Sequence, residues 1–200
     1  MAVSSPTPPG SERAGRGARE RILNASYELF SQRGIGAVGI DTIIAHSGVA
    51  KMTLYRHFHS KEALVLAFLA RREALWTHAW LETEMLAAAA TPTGRLLAIF
   101  DVFHPWFQKA DFEGCAFIKV LLEAEEHSAI RAAAALHLAN VRGLLTRQAR
   151  AAGLADVERF VHTWHILMKG CIVSADEGNL QAARQAKAAA ALLLEHWPLV

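Results

Sequence analysis

The sequence lacks several features that define other classes of protein. It has only two cysteines, Cys115 and Cys171, far apart in the chain. A disulfide framework is therefore not expected, and a reducing cytoplasm is the predicted location. No apolar run is long enough and free enough of charge to cross a bilayer, so no membrane partner is expected. The first residues show no basic segment followed by a hydrophobic block, so no secretory signal is expected.

The patterns that accompany catalysis are also missing. The sequence has no glycine-rich phosphate loop, no nucleophile elbow and no carboxylate pair placed for acid–base chemistry. His162 and His165 are one helical turn apart, but no neighbouring carboxylate has a spacing that would complete a metal site, so we expect interface or pocket histidines. Packing explains the two cysteines better than a redox sensor, since neither lies in a Cys-x-x-Cys pair. We predict no enzyme activity, no catalytic residues, no metal and no cofactor.

What the sequence has in abundance is alanine and leucine, within a composition that is 52% hydrophobic. This composition favours an all-α protein, and helical spacing of apolar residues predicts about nine helices. Pro105 is expected to kink or end helix 5 near His104. Ser60, Asp156 and Asn179 are the expected caps of helices 4, 8 and 9. The predicted helices lie at about 18–33, 40–47, 51–58, from 61, 95–107, 115–126, 128–152, from 157 and from 180.

The predicted domain organisation follows composition and charge. Residues 1–17 are rich in Ser, Pro, Gly and Ala, so we expect a disordered arm, which is either a plain tail or a basic arm that reaches DNA. The whole chain has a formal net charge of +2, but residues 1–61 contain eight Lys/Arg against four Asp/Glu. Positive charge is therefore concentrated where phosphates would be bound.

The segment 48–61 carries the strongest functional signal. Its sequence, GVAKMTLYRHFHSK, predicts the turn of a helix-turn-helix motif, a short exposed helix and the start of the next helix. Gly48 suits a sharp turn, and Val49 and Leu54 are apolar residues that would anchor the motif. Its polar side chains can bond phosphates and base edges, which indicates binding to duplex DNA.

These residues resemble the TetR family of transcriptional regulators. The resemblance covers about residues 19–68, and it is carried by the block Thr53-Leu54-Tyr55-Arg56-His57-Phe58 followed by Ser60-Lys61. It implies a three-helix DNA-binding domain at residues 18–61 and a divergent helical effector-binding and dimerisation domain at residues 62–200. It also implies a homodimer formed by the last two helices. The third helix would then enter the major groove, with base contacts from Lys51, Thr53 and Arg56 and phosphate contacts from Tyr55, His57 and Lys61. Further candidate DNA contacts are Thr42, Arg16 and Arg19.

Two further sets of candidate residues belong to the second domain. Aromatic residues near the expected kink suggest an apolar pocket with a polar anchor, although core packing alone would explain most of them. The candidate pocket residues are Trp76, Trp80, Phe100, Phe103, His104, Phe107, Phe117, Trp164 and Met168. The candidate dimer residues on helices 8 and 9 are Val157, Phe160, Val161, Trp164, Ala183, Ala186, Ala190, Leu193 and Trp197.

Together these features predict a ligand-responsive transcriptional regulator that binds a pseudo-palindromic operator as a homodimer. We expect a repressor released by a small, largely apolar molecule. Its expected partners are double-stranded DNA, a second copy of the chain and an unknown effector. One alternative is an activator or an effector-independent DNA binder. Another is a helical ligand-binding or catalytic domain whose N-terminus contacts protein.

Overall fold

The computed structural model describes residues 17–200, and this part of the chain is helical apart from its turns and one isolated bridge between Leu154 and Leu199. None of its helices is both long and apolar enough to span a bilayer. Residues 61–88 form one helical stretch, α4, in which Ala74–Glu82 has π-helical hydrogen bonding between the α-helical segments Lys61–Glu73 and Thr83–Ala88. The other helices are α1 Ala18–Arg33, α2 Ile40–Ser47, α3 Lys51–His57, α5 Pro92–Phe107, α6 Ala116–Glu123, α7 Ala129–Ala151, α8 Val157–Asp176 and α9 Ala182–His196.

The described residues divide into two compact units. The first contains residues 17–75 and 116–137, and the second contains residues 76–115 and 138–200. The first unit therefore includes the segment 18–61 that is predicted to bind DNA, together with a later part of the chain that is distant in sequence.

Apolar side chains from α1, α3 and α4 form the core of the first unit. Ile22, Leu54 and Phe68 are fully buried. The rings of Tyr27 and Phe30 meet the ring of Phe68 edge-on, with centroids 5.6 and 5.5 Å away. Edge-to-face aromatic pairs add to the free energy of burial, so Phe68 is a central contact between α1 and α4.

Two arginines of α4 form polar contacts with α1. The Arg71 guanidinium donates to Asn24 Oδ1 at 2.6 Å and to both carboxylate oxygens of Glu20 at 2.8 Å. Buried Arg72 donates to the Tyr27 hydroxyl at 3.0 Å. A planar guanidinium that bonds several acceptors fixes orientation as well as distance, so these contacts hold α1 in one register on α4.

The later segment of the first unit is attached to the N-terminal helices through carboxylates. The backbone N–H of Gly36, in the α1–α2 turn, donates to Glu123 Oε2 at 3.1 Å. Glu73 of α4 pairs with the largely buried imidazole of His137 on α7. Glu123 therefore connects the segment 116–137 to the α1–α2 turn.

The second unit has an aromatic core. The rings of Trp76 and Trp106 have centroids 4.5 Å apart, as do those of Trp76 and Trp80. Phe100 and Phe160 lie 5.6 and 5.2 Å from the fully buried Trp164 of α8. These aromatic residues pack with aliphatic side chains from α7 and α9, which together form the core of this unit.

Most helix boundaries agree with those predicted from the sequence, and three details differ. The helix α5 begins at Pro92 instead of Arg95, and it continues through Pro105, where a kink or an end was expected, to the predicted last residue Phe107. Proline near the end of a helix removes one donor but leaves the remaining turn able to form. The N-cap of α9 is Gln181, whose N–H donates to Asn179 Oδ1, so Asn179 caps the preceding turn and not the helix. The helix α6 ends at Glu123 instead of Glu126. The predicted caps Ser60 and Asp156 accept from the N–H groups of Ala63 and Arg159.

Two titratable groups of α8 are buried in the second unit. Burial, with smaller contributions from the positive charges of Lys169, Arg142 and His162, lowers the pKa of His165 to about 3. Burial raises the pKa of the Cys171 thiol to about 12, so this thiol is protonated at neutral pH and is a poor nucleophile. Both groups are thus uncharged components of the core.

Replacing His165 with glutamine should reduce the sensitivity of the fold to acid. The folded-state pKa of about 3 lies below the ordinary value of 6.5, so the unfolded chain binds the proton more readily. Stability is therefore full above about pH 6.5 and falls as the pH decreases towards 3. Between pH 7 and pH 5 this group accounts for a loss of up to about 2 kcal/mol, which urea unfolding would measure.

The matched control is His59→Gln, because His59 is exposed. This control should retain the acid sensitivity of the parent protein. An equal loss of stability at pH 5 in His165→Gln and in the parent would contradict the assignment of this sensitivity to His165.

Candidate nucleic-acid interface

The α2–α3 connection has the geometry of a helix-turn-helix turn. Gly48 ends α2 in the left-handed conformation, with φ 65° and ψ 30°, and its N–H bonds to the carbonyl of Ile44 at 3.0 Å. A side chain here would be strained by its backbone conformation, which is why glycine suits the position. Ala50 then adopts an extended conformation, and its carbonyl accepts from the N–H of Thr53, at 2.9 Å, and of Leu54, at 3.1 Å.

The buried side of this motif fixes the position of α3. Val49 is 7% exposed, and Leu54 and Ile43 are fully buried. A helix of only seven residues has little stability of its own, so burial of Leu54 is what holds α3 in place. Burying such a side chain contributes about 1.5–3 kcal/mol to the stability of the folded state.

The opposite side of α3 is exposed to solvent and carries the predicted DNA contacts. Lys51 and Arg56 are exposed, Tyr55 is 38% exposed, and Thr53 and His57 are half-buried. Residues 51, 52, 55 and 56 lie on one face, because side chains three and four positions apart in a helix are neighbours. The face therefore presents two cations and a phenol to solvent.

The remaining candidate DNA contacts lie on the elements around α3. Thr42 is exposed on α2, and Lys61 is half-buried at the start of α4. Arg19 is exposed on α1, and its guanidinium lies 5.2 Å from the ring centroid of Phe58, within the range of a cation–π contact. Arg16 lies outside the described residues, as does the rest of the predicted arm before Gly17.

One neighbour of this face was not identified from the sequence. Asp41 on α2 is 86% exposed at its side chain and places Oδ1 3.5 Å from Lys51 Nζ. Spacing alone does not reveal this contact, because the two residues are on different helices and meet only through the turn. An exposed pair of this kind contributes little to stability, so a phosphate can replace the carboxylate at small cost.

The candidate pocket residues are divided between the two units. Phe117 belongs to the first unit, where its ring lies 5.1 Å from the imidazole of His137. The others belong to the second unit, where Phe100, Phe103, Phe107 and Trp164 are buried core residues. Trp76 and His104 are half-buried, and Trp80 and Met168 are buried.

The candidate dimer residues are mostly buried within their own protomer. Buried members are Phe160, Val161, Trp164, Ala183 and Ala190, whereas Val157, Ala186, Leu193 and Trp197 are half-buried. The exposed apolar side chains of the same two helices are Ile166, Val173 and Leu192, at 63%, 46% and 60%. Ile166 and Val173 are seven residues apart and hence share one face of α8.

The described residues contain no group of three or more metal-ligating side chains, and His162 is exposed whereas His165 is buried.

The chemistry that the arrangement on α3 supports is non-covalent recognition. Cations, a phenol and hydroxyls on a protruding helix can bond phosphate oxygens and the edges of base pairs.

The fold and this exposed helix define a helix-turn-helix protein. A sequence model of the family described as bacterial regulatory proteins, tetR family, matches residues 22–68. An uncharacterized HTH-type transcriptional regulator of Mycobacterium tuberculosis is 43% identical over 54 residues, which are 27% of either chain. The HTH-type transcriptional activator FasR of Mycolicibacterium smegmatis is 47% identical over 53 residues, 26% of this chain and 24% of that protein. These matches span about a quarter of the length of the curated relatives.

The fold extends the similarity beyond this segment. The crystal structure of a TetR-family transcriptional regulator, SCO4454 from Streptomyces coelicolor, superimposes with a TM-score of 0.80, covering 92% of this chain and 91% of that one, at 23% identity. At this identity the likeness concerns the fold alone. Residues 22–68 thus match the sequence model of the tetR family, and the fold of the described residues is similar to that of a TetR-family regulator.

Proposed function

We propose that this protein is a DNA-binding transcriptional regulator that binds its operator as a homodimer and responds to a small, largely apolar effector. The observation that carries the proposal is the seven-residue helix α3, which is anchored by the buried Leu54 and exposes Lys51, Tyr55 and Arg56. In a helix-turn-helix protein the second helix of the motif reads base edges in the major groove, and two such helices in a symmetric dimer read a pseudo-palindromic site.

The surface supports distinct roles for these three side chains. Arg56 can form a bidentate contact to guanine O6 and N7, which discriminates against other bases by about 1–3 kcal/mol. The Tyr55 hydroxyl can bond a phosphate, which positions the helix without reading sequence. Lys51, expected from the resemblance to contact a base, is proposed here to bond a phosphate instead. Lys51 would exchange Asp41 for a phosphate on binding.

Replacing Arg56 with alanine should weaken binding to fragments captured from genomic DNA by about 5- to 150-fold. Combining it with Tyr55→Phe should weaken retention further, because a phosphate contact is lost as well. Gel-shift titration at several salt concentrations would measure both effects, since loss of ionic contacts lowers the salt slope.

The matched control for this experiment is Arg150→Ala, because Arg150 is exposed on α7 in the second unit. It has the same charge change and should bind as the parent does. Unaltered DNA retention in the double variant would instead favour a helical domain whose N-terminus contacts another protein.

The homodimer is proposed to form through the exposed apolar face of α8 and α9. Ile166 and Val173 on α8 and Leu192 on α9 are accessible to a second copy, whereas Phe160 and Trp164 are not. Exposed side chains of this size on adjacent helices are typical of helix packing between protomers.

Replacing Ile166 and Leu192 together with glutamate should convert the dimer to a monomer, because each protomer would bury two charges at the interface. Light scattering would measure the molar mass. The control is Leu122→Glu, since Leu122 is 77% exposed and lies in the first unit. A monomeric parent protein, or a double variant that stays dimeric, would contradict the proposed interface.

The effector is proposed to bind in the second unit, beside its aromatic residues. Two buried polar atoms there, Trp164 Nε1 and Gln148 Oε1, have no hydrogen-bond partner among the described residues. Leaving such a group unsatisfied costs about 1–3 kcal/mol, which a ligand with matching polar atoms would recover. A largely apolar molecule with a few polar groups suits such surroundings.

A panel of lipophilic compounds screened by tryptophan emission should identify binders, because all five tryptophans lie in the second unit. A binder that acts as effector should change operator affinity about 5- to 150-fold at saturation. Compounds that alter tryptophan emission but leave operator affinity unchanged across the panel would contradict ligand responsiveness and favour an effector-independent DNA binder.

Repression requires only that the operator overlap the promoter, and this is the mode that we propose. Activation is the second candidate because FasR, which matches the DNA-binding segment, is described as an activator. Mapping captured fragments relative to promoters distinguishes the two, since an activator site lies upstream of the promoter.

A further inference from the structure

One side chain on the exposed face of α3 has no role in the fold and none in the proposed polar contacts. Met52 is 81% exposed, more than any other large apolar side chain described here except the terminal Val200. Leu54, two positions later, is fully buried. The motif is therefore anchored without Met52, which places its thioether and methyl group in water.

Water is an unfavourable environment for this side chain. An apolar group that stays in water lacks the stabilisation of about 0.8 kcal/mol that burial provides for each methylene. Isolated exposed apolar residues are common on protein surfaces and need no explanation by themselves. Met52, however, lies in the first turn of the helix that is proposed to enter the major groove, on the same face as Tyr55 and Arg56.

The surroundings of Met52 indicate what would cover it. The neighbouring Lys51 and Arg56 are exposed cations, which favour a polyanion over an apolar protein surface. The only apolar group that a base pair presents in the major groove is the C5-methyl group of thymine. A flexible and polarizable side chain can adapt to that methyl group, as methionine does at other contact surfaces.

We infer that Met52 is a specificity-determining residue that contacts a thymine methyl group in each operator half-site. The inference rests on the proposed function, and it adds a base preference that polar contacts do not supply. The thymine is expected next to the base pair read by Arg56, because residues 52 and 56 are one helical turn apart.

The test compares thymine with uracil, which keeps every hydrogen-bonding group of thymine but lacks its methyl group. Each thymine of a captured operator is replaced in turn by deoxyuridine, and the Kd of the full-length protein is measured for each duplex. Losing one buried methyl contact should weaken binding about fourfold at one position of the half-site.

The decisive measurement repeats this series with Met52→Ala. The variant should bind the parent operator about fourfold more weakly or worse, and the effect of uracil at the sensitive position should disappear. The control variant is Leu122→Ala, which removes an equally exposed apolar side chain of the same unit and should keep the parent profile. Circular dichroism of both variants checks that they are folded, which is expected because neither residue is buried.

The outcomes separate this inference from the proposed function. If the parent protein captures no fragment, the proposed function and this inference both fail. If it captures fragments but no uracil replacement weakens binding, or Met52→Ala keeps the parent profile, only the inference fails. A changed molar mass for Met52→Ala, with an unchanged uracil profile, would show that Met52 packs against protein and would also overturn it.

Discussion

Burial of Leu54 is the constraint on which the candidate interface depends. A helix of seven residues is not stable on its own in water. The free energy needed to order its first turn exceeds the free energy gained from so few hydrogen bonds. The fully buried Leu54, with Val49 in the preceding turn, attaches α3 to a core built around Phe68. Every polar group that α3 exposes is positioned by that one apolar contact.

Polar contacts also fix the positions of the helices around this core. Arg71 and Arg72 join α4 to α1, and Glu123 joins a distant part of the chain to the turn between α1 and α2. The unit that presents α3 is thus larger than a three-helix motif.

Local sequence was sufficient to predict most helices. Apolar spacing, Gly48 at the turn, and Ser60 and Asp156 as caps depend on residues within a few positions, and their structures agree with the predictions. The π-helical segment Ala74–Glu82 was not predicted, because nothing local distinguishes it from an α-helix. Pro105 was expected to kink or end α5, yet the helix continues beyond it to Phe107.

The sequence alone determined the all-α class, the helix-turn-helix motif and the identity of the polar residues on α3, since these follow from short-range periodicity and turn chemistry. Tertiary structure alone decided which side chains are accessible. It buried Phe160 and Trp164 and left Ile166 and Met52 in solvent. It also brought Glu123 to Gly36 and Asp41 to Lys51. The physical reason is that exposure depends on which helices pack together, and contacts between helices are not encoded in the spacing within any one of them.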